Sequence, residues 1–225
     1  MINSTHLMKT AGSGFIAMIA ALLCSCSILT PANSPPPNRY SFDSAAVTLA
    51  IPQKMSTRPA ARTNAPTIVM SVPRAAAGFD SHHMAYIRQP HKLDYFQQSE
   101  WIEAPATMLT PLVSTALEHS GRFSAVVQSP TSVIGQLRLD LEIVRLQHEF
   151  YSAPSRVHFT LRAHLIDTAT RQVIAWREFD TSVTSSGEDP YGGVLAANIA
   201  VRTVMEELAV FCAQAADEKI TSGRQ

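Results

Sequence analysis

The chain lacks the cysteines for a disulfide framework. There are three, at positions 24, 26 and 212, and two of them crowd the end of an apolar N-terminal run. It also lacks any excess of one charge: eighteen Lys and Arg balance eighteen Asp and Glu. The basic footprint that neutralising phosphates demands is therefore missing, which argues against a nucleic-acid partner. No G-x-S-x-G, phosphate-cradling Gly-Lys loop, G-x-G-x-x-G after a strand or H-E-x-x-H occurs beyond the N-terminal run, so the common catalytic and nucleotide-binding signatures are absent. What remains is a 225-residue chain with 46% hydrophobic and 16% charged residues, a composition that suits one globular domain with disordered or processed ends.

The N-terminus carries Lys9 and then Phe15-Ile16-Ala17-Met18-Ile19-Ala20-Ala21-Leu22-Leu23. A basic start and a short apolar run make a secretory signal, and the run falls short of the about 20 apolar residues of a membrane span. Leu23-Cys24-Ser25-Cys26 resembles the bacterial lipobox, with an aliphatic residue three positions before the modified Cys and a small one directly before it. Cys26 fits that pattern. Cys24 does not, because bulky Leu23 precedes it. The alternative is a conventional signal peptide and an unlipidated product. With acyl chains on Cys26, each buried CH₂ contributes about 0.8 kcal/mol, and several chains together anchor the protein durably. Ser27, where Asp would be an inner-membrane retention signal in Gram-negative lipoproteins, resembles the outer-membrane sorting class and places the protein on the periplasmic face of that membrane. Removing residues 1–25 takes away one lysine and no acid, so the body stays near neutral and does not bind headgroups by charge.

Residues 26–38, with Pro31, Pro35, Pro36 and Pro37, read as an extended tether reaching up to about 35 Å. Residues 39–66 read as a first short strand at Arg39–Asp43 and a mobile loop containing Pro52, Pro59 and Pro66. Thr67–Val72 is a β-branched run stopped by Pro73, and Met84–Arg88 with Leu93–Gln97 reads as a hairpin. Ala106–Ser120 has helical spacing, with Gly121 at C′ and a regular part starting from Thr110 and Pro111. Gly135–Ile143, Val157–Leu165 and Gln172–Val183 alternate apolar and polar residues and predict an antiparallel meander. A long final helix opens with Asp189 as N-cap and Pro190 at N1, with Val194, Ala197, Val201, Val204, Met205, Leu208, Phe211 and Cys212 on one stripe. The fold class is α/β (α+β): a two-layer sandwich with a mixed, mostly antiparallel sheet and two amphipathic helices on one face.

Chemistry-bearing residues are sparse. His158 and His164 share one side of a strand but stand about 20 Å apart, too far to share a metal, and His82-His83 has no Cys or carboxylate at ligand spacing. Cys212 reads as a packed hydrophobe, and Glu100, Glu103, Glu206 and Glu207 read as solvated helix charges. No catalytic residue, metal ligand or cofactor is assigned beyond a covalent lipid at Cys26. The richest patch is aromatic: Tyr86, Tyr95, Phe96 and Trp101 within sixteen residues. It reads either as core-edge packing or as a ledge for a partner protein or lipid.

These residues carry a family resemblance. The lipobox cysteine, the early Tyr40-Ser41-Phe42 strand, Val69-Met70-Ser71-Val72-Pro73, Met84-Ala85-Tyr86-Ile87-Arg88, Leu93-Asp94-Tyr95-Phe96, and Trp101 before a helix ending in Ser120-Gly121-Arg122-Phe123 resemble the ABC-type transport auxiliary lipoproteins, the PqiC-like partners of MCE-domain lipid transporters. Ala77-Gly78-Phe79 stands where a Pro-Gly-aromatic turn is expected, and the loop 44–66 is longer than the family pattern. The resemblance implies an auxiliary domain over residues 67–216, with 217–225 as a flexible tail. It implies a non-enzymatic envelope lipoprotein that docks an MCE assembly during phospholipid transport, and homo-oligomers. An assembly lipoprotein of an outer-membrane secretion channel, or a lipid-anchored envelope hydrolase, are the alternatives.

Overall fold

The computed structural model describes residues 35–43 and 65–222. The signal sequence, the lipidation site at Cys26, most of the tether and residues 44–64 of the loop lie outside the described residues. Within them stand nine strands and two helices. The strands are β1 (Asn38–Tyr40), β2 (Thr67–Met70), β3 (Arg74–Ala75), β4 (His83–Ile87), β5 (Leu93–Trp101), β6 (Ala125–Gln128), β7 (Leu137–Glu149), β8 (Arg156–Asp167) and β9 (Gln172–Thr184). The helices are α1 (Pro105–His119) and α2 (Pro190–Ser222).

The meander expected from the alternating sequence is present as β7-β8-β9, paired antiparallel along nearly its whole length. The other edge of β7 is shared end to end by three parallel strands: β2 at Leu137–Leu139, β3 at Glu142–Ile143 and β4 at His148–Glu149. Beyond β2 lies β6, and beyond β4 lie β5 and then β1. Five of the eight pairings are parallel, but the three antiparallel ones hold most of the paired residues, so the sheet is mixed and mostly antiparallel.

β7 runs six residues past the predicted end at Ile143. A bulge between Ile143 and Arg145 shifts the alternation, so inward positions change from Leu137, Leu139, Leu141 and Ile143 to Leu146 and His148. A strict period of two stops at such a bulge although the strand does not. With Phe159, Leu161, Ala163 and Leu165 of β8, these side chains make the floor of the core.

Both helices cover that floor, giving the expected two-layer sandwich. α1 starts at Pro105, six residues before the predicted regular start at Pro111, with Pro105 at N1 after Ala104. Pro111 sits in its second turn instead of at its start. Its ring is exposed, and so is Thr107, whose carbonyl loses the usual partner, so water can serve that group. Gly121 takes a φ of 63° just past the helix and donates its N–H to the Glu118 carbonyl, the role that favours glycine there. α2 opens as predicted: Asp189 Oδ1 accepts the Gly192 N–H at 2.8 Å. Its stripe from Val194 to Cys212 is buried, with Phe211 edge-on to Phe179 at its border. The helix continues to Ser222, into the segment expected to be a tail, where Lys219 Nζ lies 3.0 Å from the Asp167 carboxylate and Arg122 3.1 Å from Asp217.

The face of β7–β9 turned away from the helices is polar and paired within itself. Arg162 lies between Glu142 at 3.2 Å and Glu178 at 2.8 Å. His158 lies between Glu149 at 3.2 Å and Asp180 at 2.9 Å. His164, the other histidine of this face, stands opposite Asp140 and Trp176.

Candidate functional site

The four aromatic residues singled out from the sequence go to three places. Trp101 is only 4% exposed and packs on Phe42 with ring centres 5.2 Å apart, inside the core. Tyr95 points to the opposite face of β5 from Phe96; its ring lies 5.5 Å from His83 and its hydroxyl donates to the Gly78 carbonyl at 3.2 Å. Tyr86 and Phe96 do come together, with ring centres 4.6 Å apart on neighbouring strands. Phe150 joins them, 6.0 Å from Tyr86 and 6.2 Å from Phe96, both edge-on. Arg88, exposed in the β4–β5 turn, holds its guanidinium 5.4 Å from the Tyr86 ring centre and 5.1 Å from that of Phe150. A cation over two rings beside half-buried aromatics is the composition of a protein-binding hot spot.

The cluster stands on a rigid base. Phe150 stacks on His148 at 4.0 Å, and His148 is buried against the first turn of α2. A Cβ built at Gly193 would come within 2.6 Å of His148 Nδ1, so only glycine lets the helix approach this closely. His148 Nε2 lies 2.9 Å from Ser155 Oγ, and the Ser155 N–H donates to Glu188 Oε1 at 2.9 Å. Ser185 then donates its N–H to the Ser155 carbonyl at 2.9 Å. The ends of β7 and β9 and the starts of β8 and α2 are thereby knotted together under the rings. Burial lowers the pKa of His148 below the ordinary imidazole value, against the opposing pull of Glu188 and Asp189. A small cavity of about 20 Å³ beside it is walled by Met84, Phe96, Trp101, Leu146 and Val157.

Next to the knot, burial would raise the pKa of Glu149, but the Tyr151 hydroxyl at 2.5 Å, the Gln147 amide at 2.8 Å and His158 together hold it below its usual range. The hydrogen bond to Glu149 correspondingly raises Tyr151. Ser155 and His148 have the atoms of a nucleophile–base pair, but Ser155 is fully enclosed, so no substrate carbonyl can reach its Oγ. Cys212 is also buried, and burial alone pushes its thiol up to about 12, which removes the thiolate needed for reactivity. Among the described residues, no three His, Cys, Asp or Glu side chains are grouped to hold a metal, and no helix is long and apolar enough to cross a membrane.

Sequence reasoning missed Phe150, Arg88 and His148. Phe150 lies past the bulge, where the alternation that marks a strand has already changed phase, and Arg88 gains meaning only once Tyr86 and Phe150 are adjacent in space.

Comparison with known proteins gives three results. A family model described as the ABC-type transport auxiliary lipoprotein component matches residues 48–209. No curated protein matches the chain. Among solved structures, protein XCC0632 from Xanthomonas campestris is similar at 20% identity with a TM-score of 0.67, over 82% of this chain and 99% of that one. An uncharacterised protein is similar at 8% identity with a TM-score of 0.58, over 78% of this chain and 97% of that one. At these identities the two structures speak for the fold alone.

Proposed function

The chain belongs to the family of ABC-type transport auxiliary lipoprotein components, and from that premise we infer that it is the lipid-anchored docking component of an MCE-type intermembrane phospholipid transport system. The observation that carries this reading is the family match over residues 48–209, joined to a lipobox cysteine at position 26. Acyl chains on Cys26 hold the domain at the periplasmic face of the outer membrane, and the chain does no chemistry of its own. Its contribution is position: an anchored domain meets even a weak partner at high effective concentration. The Tyr86–Phe96–Phe150 cluster with Arg88 is the surface that meets the MCE protein, and the copies of the lipoprotein associate with one another around it.

A photo-crosslinker placed at Tyr86 in cells tests the docking. The expected product contains an MCE-domain protein; recovery of self-contacts alone, or of a secretion-channel subunit, removes this reading. Replacing Cys26 with Ser tests the anchor, and the expected result is loss of the protein from the membrane fraction.

A further inference from the structure

α2 buries Val194, Ala197 and Val201 in the core and turns Tyr191, Leu195 and Ile199 the other way. These three follow one another at helical spacing on its outer face and are exposed by 57%, 41% and 43%. Two further segments meet them. The Tyr40 ring lies 6.1 Å from that of Tyr191, and the Ile102 N–H donates to the Tyr40 carbonyl at 2.7 Å, with the Ile102 side chain itself exposed. An apolar patch built from the ends of β1 and β5 and the start of α2 is thus left open, and such a patch marks a contact surface. The acids at the head of α2 are engaged elsewhere: Glu188 accepts the Ser155 N–H and Asp189 that of Gly192. Past Ile199 the same face turns polar at Arg202, which makes no ion pair among the described residues. A groove lined by Leu195, Ile199 and Arg202 has Asp43 on its rim.

We propose that this patch rests on a phospholipid bilayer, with Ile102, Tyr191, Leu195 and Ile199 at the boundary of headgroups and acyl chains and Arg202 against the lipid phosphates. The place where the chain enters the domain selects that occupant. The patch begins at Tyr40, fourteen positions after Cys26, and the tether between them reaches at most about 35 Å. Acyl chains on Cys26 therefore keep this patch, by its own stretch of chain, close to the lipid surface. Contact that would be marginal for a free domain then forms, because the tether fixes a high effective concentration of lipid. The chemistry of the patch agrees. A helix lying in a membrane interface is held by its apolar area, with amphipathic and basic side chains at the headgroups. This part of α2 offers Leu195 and Ile199 with Tyr191 before them and Arg202 after. The chain carries no net charge, so apolar contact supplies the attachment and Arg202 sets its depth.

The inference rests on the anchor at Cys26 and goes beyond it, since it gives the domain one orientation on the membrane. The test uses the full-length acylated chain in vesicles of phosphatidylethanolamine and phosphatidylglycerol. Leu195→Cys and, separately, Ile199→Cys are labelled with an environment-sensitive NBD fluorophore; Cys212 is buried and does not compete. Val173→Cys on β9, an exposed site on another element, is the reference. Labels at 195 and 199 are expected to emit at shorter wavelength than the label at 173 and to be quenched by lipids carrying a nitroxide high on the acyl chain. They are also expected to resist iodide about threefold better, as immersion in the interface requires. Iodide reaching 195 and 199 as readily as 173 overturns the proposal. So does protection without nitroxide quenching, which would mean that a second copy or another protein covers the patch. Retention of Cys26→Ser in the membrane fraction would count against the anchor of the proposed function, whereas iodide access on an acylated chain counts against the patch alone.

Discussion

On one side of β7 lies β8, joined to it along most of its length and continued by β9, while on the other side β2, β3 and β4 share its edge in stretches of three, two and two residues. The first side is closed by short turns between consecutive strands. The second recruits Ile68 to meet Leu137 and Tyr86 to meet His148, segments more than sixty residues apart in the chain. Both sides bury side chains in the same core, but only the first can form before the rest of the chain is placed. The difference teaches that β7–β9 is the template of the fold and that the short parallel strands are stable because they are laid on it. The candidate docking cluster stands on the recruited side.

The strongest way to break the contrast is to remove a large side chain from the template. Phe159 is fully buried in β8, and Phe159→Ala is expected to cost about 3–5 kcal/mol. The checks are a lowered urea midpoint and hydrogen exchange that quickens across the whole sheet. A strike at the recruited side should be smaller and local. A Cβ at Gly135 would lie 2.8 Å from Val69 Cγ2 and 2.9 Å from the Thr67 carbonyl oxygen. Gly135→Ala is therefore expected to cost about 1–3 kcal/mol, with exchange quickening first in β2 and β6.

Acid should probe the knot under the cluster. The folded state holds the pKa of His148 below 6.5, so the unfolded chain takes up a proton that the folded one resists. Stability is then expected to fall as the pH drops below 6.5, and His148→Gln should flatten that first slope. The lowered carboxylates of Asp167, Glu149 and Asp180 act in the same direction at lower pH, losing their contribution as they become protonated. The smallest effect belongs to the open face of the template. Arg162→Met removes two exposed ion pairs and is expected to change stability by about 0–1 kcal/mol in a urea titration.

The same contrast separates what was legible in the sequence from what was not. Leu137 to Ile143 and Val157 to Leu165 announce themselves because one face of each strand is wet and the other is buried, so the alternation is clean. The Asp189-Pro190 start of α2 was equally plain, since its cap uses adjacent residues. β3 is two residues long and β6 four, too short for any period to show, and their existence depends on partners far along the chain. The aromatic patch was only half readable. Tyr86 and Phe96 meet as neighbours in a hairpin, whereas Trp101 is turned inward by Phe42, a residue the sequence places almost sixty positions earlier.

The entry of the chain into the domain has a mechanical consequence. β1 lies parallel to β5, Arg39 is tied to Glu100 at 2.8 Å, and Asn198 of α2 accepts the Asp43 N–H at 2.6 Å and donates to the Ser41 carbonyl at 3.4 Å. Tension arriving through Pro37 is thus divided at once between a border strand and the longest helix, with the Phe42 ring wedged against Trp101 as a stop. A load applied from that end would peel β1 and the Arg39–Glu100 pair first and reach the Asn198 contacts next, before any strand of the template is disturbed.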